Sequence, residues 1–200
     1  MQNEQHVLSV RSQHIGRELQ RKIRNRSAKL GVIGLGYAGL HLALEMANCG
    51  FQTTGIDIDS DKVESVKAGI SYFSDVRNET LYSAVAEQRL RATQSFASIE
   101  FFDAISICVP TPLAKNKHPD LSYLLASVEA VRNHLKSGKL VIVESTIPPG
   151  ATREIILPIL QKAGLAVGRD FFLAYSPKRV NPGNKYLAPR SIPKIIGGMT

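Results

Sequence analysis

The chain has 200 residues, 44% of them apolar and 21% charged, and a formal net charge of +8. This is an ordinary composition for a water-exposed protein, with length enough to bury a sizeable core. No apolar run approaches the roughly 20 residues of a membrane span, and Met1 to His6 lack the charged-then-apolar order of a secretory signal.

The charge is uneven. Residues 1–30 hold seven basic and two acidic groups, residues 31–170 hold 13 and 15, and residues 171–200 hold five basic groups and no acid. A basic pole at each end suits anionic small ligands, or is simply solvated. A nucleic-acid partner is not expected, because no aromatic-interleaved patch or recognition-helix pattern accompanies the charge. Cys49 and Cys108 fall in a predicted helix and a predicted strand. Both read as small core residues of a protein in a reducing cytoplasm.

Residues 1–28 form a basic helical extension, in which Ile15, Leu19 and Ile23 recur every four positions on one face. Residues 29–200 alternate strands and helices, the pattern of a Rossmann-like α/β domain whose doubly wound parallel sheet is covered on both faces. Leu30-Gly31-Val32-Ile33 reads as the first buried strand. It runs into Gly34-Leu35-Gly36-Tyr37-Ala38-Gly39, and a helix from Leu40 to Cys49 ends at Gly50. A second strand, Gln52 to Ile56, delivers Asp57.

That framed glycine triplet points to a dinucleotide. Gly34 permits the tight turn, Gly36 lets a pyrophosphate approach the backbone, and Gly39 lets the helix pack closely on the strand. The helix start presents N–H groups and a positive dipole end to an anion. Asp57 can accept hydrogen bonds from the adenosine ribose and would repel a 2′-phosphate, so NAD is expected rather than NADP.

Further on, Asp59 or Ser60 caps a helix reaching Ala68, and Asn78 or Thr80 starts another reaching Leu90, beside a short strand at Leu90 to Thr93. Ala104 to Val109 is a buried strand stopped by Pro110-Thr111-Pro112. A helix follows Pro119-Asp120, with Leu121, Leu124, Leu125, Val128, Val131 and Leu135 at helical spacing. Then come a strand at Leu140 to Val143, a helix from about Thr152 to Ala163, a strand at Phe171 to Ala174, and a final short strand within Ile192 to Gly198. Polar clusters end four of these strands: the glycine loop with Asp57, Val109 to Pro112, Glu144 to Gly150, and Ser176 to Gly183. In sheets of this kind ligands bind beyond the carboxyl ends of the strands.

Taken together, Gly31 to Gly39, Cys108-Val109-Pro110-Thr111-Pro112-Leu113, Pro119 to Tyr123 and Glu144-Ser145-Thr146 resemble the UDP-glucose/GDP-mannose dehydrogenase family. Ser176-Pro177, Arg179, Pro182 to Asn184, Ile192 to Lys194 and Gly197-Gly198 are most similar to its UDP-N-acetylglucosamine 6-dehydrogenase branch. The resemblance implies oxidation of the C6 alcohol of a nucleotide sugar to a carboxylate by two hydride transfers to NAD, through a cysteine thioester. It assigns cofactor contacts to Gly34, Leu35, Gly36, Tyr37, Ala38, Gly39, Asp57, Lys62, Val109, Pro110, Thr111, Ser145 and Thr146. Lys178, Arg179, Asn181 and Gly183 would face the sugar diphosphate.

The nucleophilic cysteine, the catalytic lysine and the dimerising helix of such proteins fall beyond the equivalent of Thr200. The chain therefore reads as an NAD-binding half, inactive alone, that forms a homodimer only with the other half. Lys178 stands where the family pattern carries Glu, His41 stands for a usual proline, and Ala38 for a usual valine. No metal site is expected. The competing reading is a degenerate Rossmann module without catalytic role.

Overall fold

A computed structural model of the chain describes residues 14–113, 118–177 and 193–199. A helix over residues 14–24 (α1) precedes β1 (Lys29–Ile33), α2 (Tyr37–Asn48), β2 (Gln52–Ile56), α3 (Ser60–Lys67), α4 (Asn78–Ala86) and β3 (Leu90–Thr93). A 3-10 turn at Phe96–Phe101 leads to β4 (Ala104–Ile107). Then follow α5 (Ser122–Asn133), β5 (Leu140–Val143), α6 (Leu157–Gln161), β6 (Phe172–Tyr175) and β7 (Gly197–Gly198).

The strands form one sheet in the order β3-β2-β1-β4-β5-β6-β7. Every pairing is parallel except the last, where β7 runs against β6. The order reverses at β1, so β1 and β4 lie side by side while their following segments diverge. That divergence opens a crevice at their carboxyl ends.

The central strands read as unbroken apolar runs because both faces are covered. Ile33, Ile105, Ile107, Leu124, Val128 and Phe171 build one core layer. Val32, Leu35, Leu40, Ala43, Val63 and Leu81 build the other. Successive residues Val32 and Ile33 enter opposite layers, as the period of two requires.

At the opposite end of the sheet, Asp103 joins α1 to the domain. One of its oxygens accepts from Lys22 Nζ at 2.8 Å, the other from the Lys29 N–H at 2.8 Å. Leu19 is buried but Ile23 is 37% exposed, so only part of the apolar stripe on α1 is engaged.

Several boundaries differ from the sequence reading. Helix α2 starts at Tyr37, three residues early, because Gly36 at its N-cap holds an extended φ of −63° and ψ of −173° that leads straight into helix. Cys49 is the C-cap of α2 and exposed, not a core residue; Cys108 is buried as expected. The helix expected to reach Leu90 stops at Ala86, since β3 claims Leu90 for the sheet. The expected helix from Thr152 is a π-turn over Thr152–Ile156 followed by α6. Pro158 sits at the start of α6 and supplies no N–H to an α-helical ladder through this stretch. Strand β6 lies one residue later than read, and the final strand shrinks to two glycines. No periodicity announces the 3-10 turn before β4.

Candidate functional site

The turn after β1 has the geometry the glycines suggest. Gly34 adopts φ of +91°, and a Cβ there would meet the Cys108 carbonyl oxygen at 2.8 Å. At Gly39 a Cβ would fall 1.7 Å from the Gly34 carbonyl oxygen, so α2 can lie this close to β1 only with glycine. A Cβ on Gly36 meets nothing within 4 Å and would project into open space. The first turn of α2 carries no acidic residue and no side-chain cap, leaving its positive end unneutralised by its own sequence.

Asp57 follows β2 and is only 8% exposed. Its Oδ2 accepts the Leu35 N–H at 2.6 Å and its Oδ1 accepts the Asp59 N–H at 3.0 Å. A carboxylate offers about four lone-pair positions, so two protein bonds leave acceptor capacity for a ligand. Tyr72 donates to the Leu35 carbonyl at 2.6 Å. The Leu35 peptide is therefore held on one side by Asp57 and on the other by Tyr72. Burial, followed by the charges of Asp57 and Asp59, pushes the Tyr72 phenol well above its ordinary pKa, so it stays a donor.

Helix α3 is capped by Asp59, whose Oδ1 accepts from the N–H groups of Asp61 and Lys62 at 3.0 and 3.4 Å. Lys62 Nζ lies 3.3 Å from Asp59 Oδ2. The hydrogen bond from Lys62 leads the causes that hold the Asp59 carboxyl below its usual range.

These elements line one cleft of about 830 Å³ at the carboxyl ends of β1, β2, β4 and β5. Gly34, Gly36, Tyr37, Ala38, Asp57, Lys62, Val109, Pro110, Thr111, Ser145 and Thr146 all border it. Three of the four polar strand ends thus meet in one place. Ser145 ties two of them together, its Oγ donating to the Val109 carbonyl at 2.7 Å. The volume falls within the range of small-molecule and cofactor sites.

Two predicted site residues do not border the cleft. The Leu35 side chain is fully buried in the core beneath the turn, so only its backbone belongs to the site. Gly39 acts by its lack of a side chain. Lys178, Arg179, Asn181 and Gly183 lie outside the described residues.

Phe96 from the 3-10 turn, Glu144 after β5 and Ala126, Ser127 and Ala130 on α5 also line the cleft. Periodicity gave no hint of Phe96. The small residues of α5 at helical spacing were the one readable signal, since they make room on a face that otherwise carries Leu and Val. Glu144 is buried; its Oε1 accepts from Lys194 Nζ at 2.5 Å, and its Oε2 has no hydrogen-bond partner among the described residues.

Among the described residues, no group of three or more His, Cys, Asp or Glu side chains is placed to hold a metal ion. No described helix is long and apolar enough to cross a membrane.

Comparison with known proteins agrees with this geometry. Residues 28–200 match the NAD binding domain of the UDP-glucose/GDP-mannose dehydrogenase family. The chain is 37% identical over 176 residues to a UDP-N-acetyl-D-glucosamine 6-dehydrogenase of Pseudomonas aeruginosa, covering 88% of this chain and 41% of that protein. It is 38% identical over 174 residues to a protein of the same name from Salmonella typhi, covering 86% and 40%. Among solved structures, a UDP-D-ManNAc dehydrogenase from Pyrococcus horikoshii superposes with a TM-score of 0.77 at 34% identity, covering 85% of this chain and 41% of that one. The chain thus spans about two fifths of the length of the curated relatives it matches.

Proposed function

Because the chain belongs to the UDP-glucose/GDP-mannose dehydrogenase family, we propose that it is the cofactor-holding part of a dehydrogenase that oxidises the C6 alcohol of a UDP-sugar. The cofactor of this domain family is NAD. When bound, NAD supplies a hydride acceptor. The names of the relatives favour a UDP-N-acetylhexosamine over UDP-glucose as the substrate.

The residues present fit that cofactor. The observation that carries the reading is the pairing of Gly36, open to the cleft, with the Asp57 carboxylate fixed behind it. Gly36 and the start of α2 receive a diphosphate on backbone N–H groups without steric conflict. Asp57 receives the ribose hydroxyls and opposes a 2′-phosphate. Lys62 offers a cation on the adenosine side. Thr111, Ser145 and Thr146 border the other side with hydroxyls, where the nicotinamide half of a dinucleotide falls across the switch point of the sheet. Val109 and Pro110 form its apolar wall.

The reading extends to a cytoplasmic location, to sugar-diphosphate contacts from Lys178, Arg179, Asn181 and Gly183, and to a homodimer formed through the part of the relatives that this chain does not span. The thioester chemistry needs a thiol near the nicotinamide. Cys49 does not serve. It caps the far end of a 12-residue helix, about 18 Å from the glycine loop at 1.5 Å per residue. Cys108 borders the cleft but is packed under that loop and only 7% exposed. Turnover therefore requires residues outside this chain.

Calorimetric titration tests the reading. NAD is expected to bind saturably and more tightly than NADP, and the chain alone is expected to produce no NADH from UDP-N-acetylglucosamine. Absence of saturation at millimolar NAD would overturn it.

A further inference from the structure

Beside the glycine loop lies a cluster that the proposed function does not use. His41 sits one turn into α2. Its Nδ1 lies 2.6 Å from the Tyr37 carbonyl oxygen and its Nε2 lies 3.1 Å from Asp75 Oδ2. The Tyr37 hydroxyl donates to the same Asp75 oxygen at 2.6 Å. The Tyr37 ring packs 4.4 Å from the His41 ring and stands edge-on to Phe73 at 5.3 Å. Asp75, Phe73 and Tyr72 all come from the segment joining α3 to α4. Tyr72 reaches the glycine loop itself through the Leu35 carbonyl. That segment is therefore laid over the start of α2 and fastened at three points.

The chemistry of the two acceptors sets the protonation state. A carbonyl oxygen and a carboxylate only accept hydrogen bonds, and a neutral imidazole has only one N–H. Both bonds form together only when the ring is protonated on both nitrogens. The His41 side chain is 14% exposed while Asp75 is 47% exposed, so the cation lies against the protein and its counter-ion faces solvent. The titratable groups the ring is shown to touch are Tyr37 on the same helix and Asp75 on the overlying segment; Glu45 follows one turn further along α2. Burial pushes the Asp75 carboxyl up, but the Tyr37 hydroxyl and the charge of His41 prevail and hold it below its usual range.

We propose that His41 is a positioning residue whose doubly protonated ring clasps the 72–75 segment onto the glycine loop, making affinity for a diphosphate-bridged dinucleotide dependent on pH. The clasp holds the side chain of Tyr37, a residue that borders the cleft with Gly36 and Ala38, and adds a cation near the positive end of α2. Loss of the proton removes one of the two bonds and the charge together. Binding of the dianionic diphosphate and protonation of His41 then favour each other, so affinity falls as the ring loses its proton. This inference rests on the dinucleotide-binding reading of the cleft.

The test is calorimetric titration with NAD between pH 5.5 and 8.5, the range over which imidazoles ordinarily change charge. Affinity is expected to fall roughly threefold to tenfold as pH rises, the size of losing one partly exposed hydrogen bond. H41Q keeps an amide of similar reach and cannot titrate; it is expected to bind NAD with little dependence on pH. A flat wild-type profile, or an H41Q profile as steep as the wild type, overturns the proposal. No NAD binding at any pH would instead sink the dinucleotide reading. A second measurement then still decides on the clasp: the His41 ring resonance, assigned by its loss in H41Q, is expected to titrate at lower pH in D75N. An unchanged titration in D75N overturns the clasp by itself.

Discussion

Lys194 donates to Glu144 at 2.5 Å, joining the segment before β7 to the carboxyl end of β5 across fifty positions of sequence. The two ends differ in their surroundings. Glu144 is 2% exposed at its side chain and Lys194 is 40% exposed. The lysine therefore loses little hydration, while the carboxylate depends on it. The neighbouring Ser176 hydroxyl donates to the Ile195 carbonyl at 3.0 Å, so the same short segment is fastened twice beside the cleft. K194M strips the carboxylate of its described partner and is expected to lower stability by about 1.5–3 kcal/mol. The double variant E144L/K194M should recover much of that loss, because it removes the stranded charge as well. Denaturant melts of the three proteins check this; equal losses in single and double variants would refute it.

Gly36 and Gly39 should separate folding from binding. Gly36 holds a φ that any residue adopts, and its Cβ would meet no protein atom. G36A is expected to melt near the wild type but to bind NAD at least tenfold more weakly. The added methyl would stand in the path proposed for the diphosphate. G39A places a Cβ 1.7 Å from a backbone oxygen, so the turn must move. It should cost about 3 kcal/mol or more of stability. Thermal melts and NAD titration on both variants make the comparison, and a G39A protein as stable as G36A would contradict it.

Asp57 holds the turn, and in the proposed function it also receives the ribose of the dinucleotide. D57N keeps the shape but has one acceptor oxygen where two N–H groups now donate. Stability is expected to fall by about 1–3 kcal/mol. NAD affinity should drop while NADP affinity holds or rises, since the repulsion of a 2′-phosphate is gone. Parallel titrations with both dinucleotides read this out; an unchanged preference for NAD would count against the assigned role.

Lys139 gives a stability change with pH. It is 5% exposed, and its ammonium donates to the carbonyls of Ile99 at 3.0 Å, Glu100 at 2.9 Å and Phe102. It thereby caps the 3-10 turn that carries Phe96. Burial outweighs the nearby Asp103 charge and pushes its pKa down to about 8. An unfolded lysine titrates near 10.4, so between about pH 8 and 10 the unfolded chain binds more protons than the folded one. Stability should therefore rise with pH across that window. K139M should flatten this rise and also lower stability overall, because three carbonyls lose their donor. Denaturant melts between pH 7 and 10 check both, and a wild-type curve that falls through this window would overturn the argument.

The first half of the site was legible because its determinants are local. Gly34, Gly36, Gly39 and Asp57 lie on one strand-turn-helix-strand unit, where steric limits on φ and the geometry of a helix start act over a few residues. The strand ends at Val109 to Thr111 and Glu144 to Thr146 were legible too, since prolines and hydroxyl residues break apolar runs visibly. Element ends were less so. Cys49 looked like a core residue because it ends an apolar helix, yet the C-cap position turns it to solvent.

What the chain's order of residues determined by itself is the alternation of strand and helix, the dinucleotide turn and the acid that follows it; each depends on contacts within about thirty positions. The tertiary structure alone decided which distant groups meet: Tyr72 on the Leu35 carbonyl, Asp75 on His41 and Tyr37, Lys194 on Glu144, and Phe96 at the cleft. Those pairings come from segments without periodicity, and their partners are chosen by where the sheet order brings chain ends together. Local propensity carries no record of that.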